Sequence, residues 1–357
     1  MRTLQWGQYS EGTNFLRAVP HRCNVRRADT HGRAIGHNTP FGDRVFRSIP
    51  VAIATSPQRV SNESSIMSTP HANAIPGTPA DLTTSPTPVG TAESADRARR
   101  FGGIARLYGT AALAAFERAH VAVIGIGGVG SWAVEALARS AIGRLTLIDL
   151  DNVAESNTNR QIHALDGNYG KPKVDAMAER IALIDPACDV SVVEDFIEPD
   201  NFAAVLGGGF DYVIDAIDSV RTKTALIAWC VQQGQPLITV GGAGGQLDPT
   251  RIRIDDLALT IQDPLLSKVR AQLRKQHGFP RGPKAKFKVS AVYSDEPLIY
   301  PDADPAVGDA GDEMEQPAQT GPVGLNCAGF GSSVCVTASF GFAAVAHVLR
   351  ALTPREG

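Results

Sequence analysis

Three clusters of residues have the types and spacing to handle a nucleotide polyphosphate. The first is Gly125-x-Gly127-x-x-Gly130, within VAVIGIGGVG at 121–130. Strand-like apolar residues run into the glycines and a helix-like stretch follows. Such a turn lets an anion approach the backbone without meeting a Cβ, and the N–H groups and dipole of the helix favour negative charge. Taken alone, it suits NAD and ATP equally. The second cluster is ESNTNRQ at 155–161 with GKPK at 170–173, which gathers Asn157, Asn159, Arg160, Lys171 and Lys173. Arginine forks and lysine point charges stabilise phosphate oxygens as charge moves onto a leaving group. A triphosphate that loses pyrophosphate needs that set, and a nicotinamide does not. The third cluster is acidic. Asp149 and Asp151 lie roughly 20 residues or more past the glycines, where a doubly wound sheet places a carboxylate for the ribose hydroxyls. Asp215 and Asp218 sit at the end of a further apolar run, YVIDAI at 212–217. Asp218, just past that run, is the candidate for a Mg²⁺ or phosphate role, and Asp215 suits a structural turn.

These clusters need strands that end at them and helices that leave from them. Apolar periodicity predicts strands over 120–124, 144–150, 189–196, 212–217 and 236–240. It predicts helices over 110–119, 129–140, 174–184, 201–206 and 221–233. In the helix over 129–140, Trp132, Ala133, Ala136, Leu137 and Ser140 share one face. The run GGAGG at 241–245 reads as a bend or as a close backbone approach to a ligand, with the bend preferred. Alternating strands and helices specify an α/β fold: a Rossmann-like, mostly parallel sheet with helices on both faces, plus a C-terminal extension. Three parts are expected. Residues 1–97, Arg-rich and then rich in Pro, Ser, Thr and Ala, read as a disordered leader, with Met67 as an alternative initiator. Residues 98–262 form the nucleotide-binding core. Residues 263–357 form a C-terminal part packed on it.

In that last part an amphipathic helix over 263–277 carries Lys268, Arg270, Arg274 and Lys275, followed by Arg281, Lys284, Lys286 and Lys288. The chain has a net charge of −3, so any nucleic-acid backbone would have to be held by a local patch such as this one, which reads equally as a solvated helix face. Residues 300–321 read as an acidic loop. The apolar stretch 334–352 reads as a buried or dimer-interface helix, with peripheral membrane association as the lesser reading. The five cysteines, Cys23, Cys188, Cys230, Cys327 and Cys335, form no C-x-x-C pair. That speaks against zinc and against a disulfide framework, and fits a reducing, cytoplasmic setting. His163 and His347 lack metal-ligand spacing.

In order along the chain, GIGGVG, D-x-D, N-T-N-R-Q, G-x-P-K and D-A-I-D-S resemble the ThiF/MoeB/HesA family, relatives of the ubiquitin-activating enzymes. RFGGIARLYG, SNTNRQIHAL, VIDAIDSVR, GGAGGQLDPT, TIQDPL and TASFGF resemble its tRNA threonylcarbamoyladenosine dehydratase branch, over about residues 98–352. The resemblance implies adenylation of the threonine carboxylate by Mg·ATP, then ring closure by the ureido group with release of AMP. It implies a phosphate turn of Gly125, Gly127, Gly128 and Gly130, with Asp149 and Asp151 at the ribose. Asn157 and Arg160 would face the phosphates. Lys173, rather than Lys171, matches the family lysine, and Asp218 the magnesium aspartate. Arg160, Lys173 and Asp218 would then be the catalytic set. The implied partners are tRNA, a second copy of the chain, and cysteine desulfurase or sulfur-acceptor proteins. The sequence departs from the family in three places. Gly103 replaces the second arginine of an R-x-x-R motif, with Arg106 three residues on. The paired C-x-x-C zinc site is missing. Ala291 stands where related chains can carry a cysteine, against a thioester route. Two other readings compete: a sulfur-carrier adenylyltransferase of the MoeB/ThiF type, against which the missing zinc cysteines speak, and an NAD-dependent oxidoreductase, against which Arg160 and the lysines speak.

Overall fold

The computed structural model describes residues 25–27, 92–282, 284–300 and 330–354. The strands are β1 (Val25–Arg27), β2 (His120–Ile124), β3 (Arg144–Ile148), β4 (Asp189–Val193), β5 (Tyr212–Asp215), β6 (Leu237–Val240), β7 (Ile252–Asp256) and β8 (Ser290–Ser294). The helices are α1 (Ala92–Tyr108), α2 (Thr110–Arg118), α3 (Gly130–Arg139), α4 (Lys173–Ile184), α5 (Phe202–Leu206), α6 (Val220–Gln233), α7 (Pro264–Gln276) and α8 (Val334–Leu352). Among the described residues the sheet runs β1-β4-β3-β2-β5-β6-β8-β7. All neighbouring pairs are parallel except β7 and β8, which are antiparallel. The chain leaves β2 for β3 and β4 on one side, then crosses to β5 on the other. The crevice at such a reversal is where open α/β sheets bind ligands.

Two apolar layers cover the sheet. Phe116 of α2, Leu137 of α3, Met177 of α4 and Phe340 of α8 pack on one face with Val121, Val123 and Leu145. Phe202 of α5, Leu226 of α6 and Leu266 and Leu273 of α7 pack on the other with Ala122, Ile124 and Val213. Each fully buried side chain of this size contributes about 1.5–3 kcal/mol. The alternation along β2 therefore sends successive residues into different cores.

Several elements differ from the periodicity reading. In α3, Ala133, Val134, Leu137 and Ala138 are buried, whereas Trp132 and Ala136 are only half-buried. The helix packs on the sheet and also against α4 and α8, so no single stripe describes its buried surface. Gly341 of α8 makes that packing close: a Cβ there would lie 2.7 Å from the Val129 carbonyl oxygen and 3.0 Å from the Ala133 nitrogen. α8 is helical from its first residue and long and apolar enough to cross a membrane, with half of that stretch buried in the fold. β7 and β8 have no counterpart among the expected strands. β8 lies between β6 and β7, so one sheet spans the expected boundary at 262–263. β1 takes three residues of the expected leader as an edge strand, and α1 begins at Ala92. The rest of that leader, Cys327 and most of the acidic loop lie outside the described residues.

Beneath the crevice sits a buried ion pair that the sequence reading missed. Lys223 Nζ lies 2.9 Å from Asp215 Oδ2, both side chains being fully enclosed. Thr239 donates to the same carboxylate oxygen at 2.7 Å, and Ile217 N–H donates to Oδ1 at 3.1 Å. Asp215 thus joins β5, β6 and α6. Lys223→Met strands a buried carboxylate, so a loss of about 3–5 kcal/mol is expected in urea unfolding. Combining it with Asp215→Leu should recover much of that loss, because no lone charge is left. A single Lys223→Met variant as stable as the parent contradicts this account.

Candidate functional site

A cavity of about 610 Å³ opens at the carboxyl ends of β2, β3, β5 and β6. Its lining includes Gly125, Gly127, Gly128, Asp149, Asp151, Asn157, Arg160, Lys173 and Asp218. Gly130, the remaining expected site residue of the core, lies beneath the turn instead: a Cβ on it would sit 1.7 Å from the Gly125 carbonyl oxygen. Gly125 has φ +85° and stands against the Ala216 carbonyl of the neighbouring loop, so the two sides of the crevice touch there. At Gly127 a Cβ would meet no protein atom and would project into open space. The first and third glycines therefore serve the fold, and the middle one leaves the approach clear for a ligand.

The turn is fixed from behind. Ile126 N–H donates to Asp149 Oδ2 at 2.5 Å, and Asp151 N–H donates to Asp149 Oδ1 at 2.8 Å. Burial raises the Asp149 carboxyl above the usual aspartate range, and the nearby Lys173 ammonium opposes that shift. His163 Nε2 lies 2.9 Å from the Ile126 carbonyl oxygen. Burial pushes the His163 imidazole down to about 4, so it is neutral at physiological pH and Nε2–H donates. Both backbone groups of Ile126 are thereby held. A histidine without metal spacing gave no sequence signal for this task.

The crossover from β3 to α4 brings in the cations. Val153 N–H donates to Lys171 O at 2.8 Å, and Lys173 N–H donates to Asp151 O at 3.0 Å. This pairing sets Lys173 as the first residue of α4, with its Nζ 2.6 Å from Asp151 Oδ2. Lys173 is buried and Asp151 exposed. Lys171 turns away to Glu179 at 2.9 Å, so geometry selects Lys173 for the cavity. Asn157 closes the short helix Glu155–Asn157, and its Oδ1 accepts Ala154 N–H at 3.0 Å. The Arg160 stem lies over Gly128, 3.2 Å from where a Cβ would stand. Its guanidinium donates to the Ser156 carbonyl at 2.8 Å and to Asn159 Oδ1 at 3.0 Å. Asp218 is exposed to the cavity just past β5. Sequence reasoning missed Asp195, Phe196 and Glu198 after β4, Arg221 and Thr222 in α6, and Thr337 in α8, all of which line the cavity. The first five follow the carboxyl ends of strands, a positional signal that was available.

The expected basic patch is not at this cavity. α7 begins there, with Leu265 in the lining. It then runs about 15 Å away to Lys275. Arg270 is half-buried and donates to Thr260 Oγ1. Arg274 stacks over the Phe287 ring at 5.1 Å. Lys268, Lys275, Lys284, Lys286 and Lys288 are exposed. Arg106 is exposed on α1, close to Gly102, and does not line the cavity. Ala291 is buried in the middle of β8, so no nucleophile occupies that place.

Comparison with known proteins gives a consistent result. The ThiF family matches residues 102–355. The tRNA threonylcarbamoyladenosine dehydratase of Escherichia coli K12 is 55% identical over 253 residues, covering 71% of this chain and 92% of that one. The protein of the same name from Haemophilus influenzae is 51% identical over 259 residues, covering 72% and 95%. A crystal structure of the E. coli enzyme TcdA in complex with ATP superposes with a TM-score of 0.64 at 51% identity, covering 73% of this chain and 96% of that one. With its motifs in order around one crevice and more than two thirds of its length matched, the chain belongs to the ThiF family.

Proposed function

We propose that the protein is an ATP-dependent tRNA threonylcarbamoyladenosine dehydratase. The observation that carries the reading is the convergence of Gly127, Asp149, Arg160, Lys173 and Asp218 on one cavity, in a chain so similar to enzymes of that name. Asp149 suits the ribose hydroxyls as an acceptor, and Gly127 lets the α-phosphate approach the backbone. A carboxylate oxygen of the threonyl group attacks the α-phosphorus, and the bond to the pyrophosphate oxygen breaks. Arg160 and Lys173 stabilise the charge that gathers on that leaving group. The ureido group then attacks the activated carbonyl, loses a proton, and expels AMP. The product is a cyclic, hydantoin- or oxazolone-type ring. Both reacting groups belong to one substrate, so closure is effectively unimolecular and needs no protein nucleophile.

Mg²⁺ fits the donors present. Asp218 makes no hydrogen bond or ion pair with a described residue, and no cluster of three or more metal-ligating side chains exists among the described residues. Magnesium is commonly held by one or two carboxylates together with phosphates and water. Asp218 would hold the ion, which would neutralise phosphate charge.

The remaining elements of the proposal concern partners. The exposed lysines of α7 and of 284–288 support contact with RNA phosphates remote from the reacting base. Phe342, 45% exposed beside Trp132, supports a homodimer. Sulfur-relay partners follow from the family alone.

The test is incubation with ATP, Mg²⁺ and threonylcarbamoylated tRNA, followed by mass analysis of nucleosides. Loss of one water from the modified base, with stoichiometric AMP, is the expected result. AMP formation that depends instead on a carrier protein ending in Gly-Gly overturns the proposal in favour of a sulfur-carrier adenylyltransferase.

A further inference from the structure

The lining residues follow the order of the strands across the sheet. Asp149, for the ribose, follows β3. The glycine turn follows β2, Asp218 follows β5, and Gly241–Ala243 follow β6. Of the two cations from the β3–α4 crossover, Lys173 pairs with Asp151 on the ribose side of this row, and Arg160 lies over Gly128 of the glycine turn. Strands lie about 4.8 Å apart, so the β6 rim stands about 10 Å beyond the glycine turn on the side away from the nucleoside. Space on that side is left for the molecule that meets the α-phosphate.

The rim is held by one buried side chain, Asp263, the N-cap of α7. Its Oδ1 accepts Leu266 N–H at 2.8 Å and its Oδ2 accepts Gly242 N–H at 2.9 Å. A Cβ on Gly241 would lie 1.9 Å from Oδ2, so the glycine there makes room for the carboxylate. This gives the 241–245 run a physical reason beyond a bend. Resting on the dehydratase reading, we propose that Gly241–Ala243 form the acyl-substrate side of the cavity. Asp263 is the positioning residue that fixes this rim for the threonylcarbamoyl carboxylate. Burial raises the Asp263 carboxyl to about 6, while the Gly242 and Leu266 N–H groups and the Lys223 and Arg270 charges oppose that shift. The carboxylate is thus retained as an acceptor for two backbone donors in a place where burial works against it.

Asp263→Asn tests the assignment. The amide oxygen still caps α7 through Leu266, but the amide nitrogen faces Gly242 N–H, donor against donor. The expected result is a rise in KM for threonylcarbamoylated tRNA, with kcat/KM for tRNA down about tenfold or more. The Kd for ATP, measured without tRNA, should be unchanged. Gly241→Ala, which displaces the same carboxylate, should reproduce the split and serves if Asp263→Asn fails to fold. A parallel loss of ATP affinity and melting temperature in both variants means a merely structural role and overturns the proposal. Unchanged tRNA kinetics overturn it as well. A parent protein inert on the tRNA removes the dehydratase reading and this one together, whereas an active parent with indifferent variants removes this one alone.

Discussion

Arg160→Ala is expected to lower the rate of AMP formation about 10³-fold while leaving the fold intact. The size follows from the kind of interaction lost, a preorganised cation aimed at charge that appears in the transition state. Arg160 is preorganised before any ligand arrives: its stem is laid over Gly128 and its guanidinium is held by the Ser156 carbonyl and Asn159. It has no carboxylate partner among the described residues, so its charge is available to a phosphate. Its backbone carbonyl accepts the Trp132 indole N–H at 2.9 Å, a contact that alanine keeps. A half-exposed side chain with local contacts changes stability by about 0.5 kcal/mol when truncated. Arg160→Lys keeps the charge without the planar fork and should fall between the two. Single-turnover AMP formation beside a melting curve makes the measurement. Normal turnover in Arg160→Ala removes the residue from the catalytic set.

How much of this was legible before the coordinates depended on how local the signal is. The strands β2, β3, β5 and β6 are short apolar runs that end in glycine or aspartate, and their positions were readable to within a few residues. β8 was not. Ser290, Ala291, Val292, Tyr293 and Ser294 are too few and too mixed to show a period, and the strand exists because β6 and β7 flank it. The same division holds at the site. Glycines, arginine and lysine announce themselves by type and spacing. Asp263, Lys223 and His163 act through partners 21, 8 and 37 residues distant. Nothing in local sequence tells a buried lysine that meets an aspartate from one on a solvated helix face. The basic patch divides in the same way. Its charge density is plain along the chain, whereas its distance from the cavity follows only from the course of helix α7, at 1.5 Å per residue.

Lys173→Met should act on the chemistry and on the pH dependence at once. A lysine at the first position of α4 opposes the helix dipole, an unfavourable arrangement by about 0.3–1 kcal/mol. It is also buried, and among the described residues its one ion-pair partner is an exposed carboxylate, Asp151. A cation kept in such a place makes sense if a phosphate completes its surroundings, so its removal should slow adenylation by about 10²–10³-fold. The second effect runs through Asp149. Burial already raises that carboxyl, and Lys173 is the charge that restrains the shift. Without it the Asp149 pKa climbs further. The sign follows directly. An acid whose folded pKa exceeds its unfolded one contributes less stability as pH rises through that interval. Lys173→Met widens the interval upward, so the variant should lose stability relative to the parent as pH rises toward neutral, and the gap should narrow in acid. Nucleotide affinity moves in the opposite sense, because the ribose hydroxyls need an ionised acceptor. On acidification, the Kd for ATP should begin to rise at a higher pH in Lys173→Met than in the parent. Titrating ATP affinity and urea midpoints of both proteins over the same pH range tests the pair of shifts. Profiles that run parallel throughout separate Lys173 from Asp149 and leave the lysine to the phosphates alone.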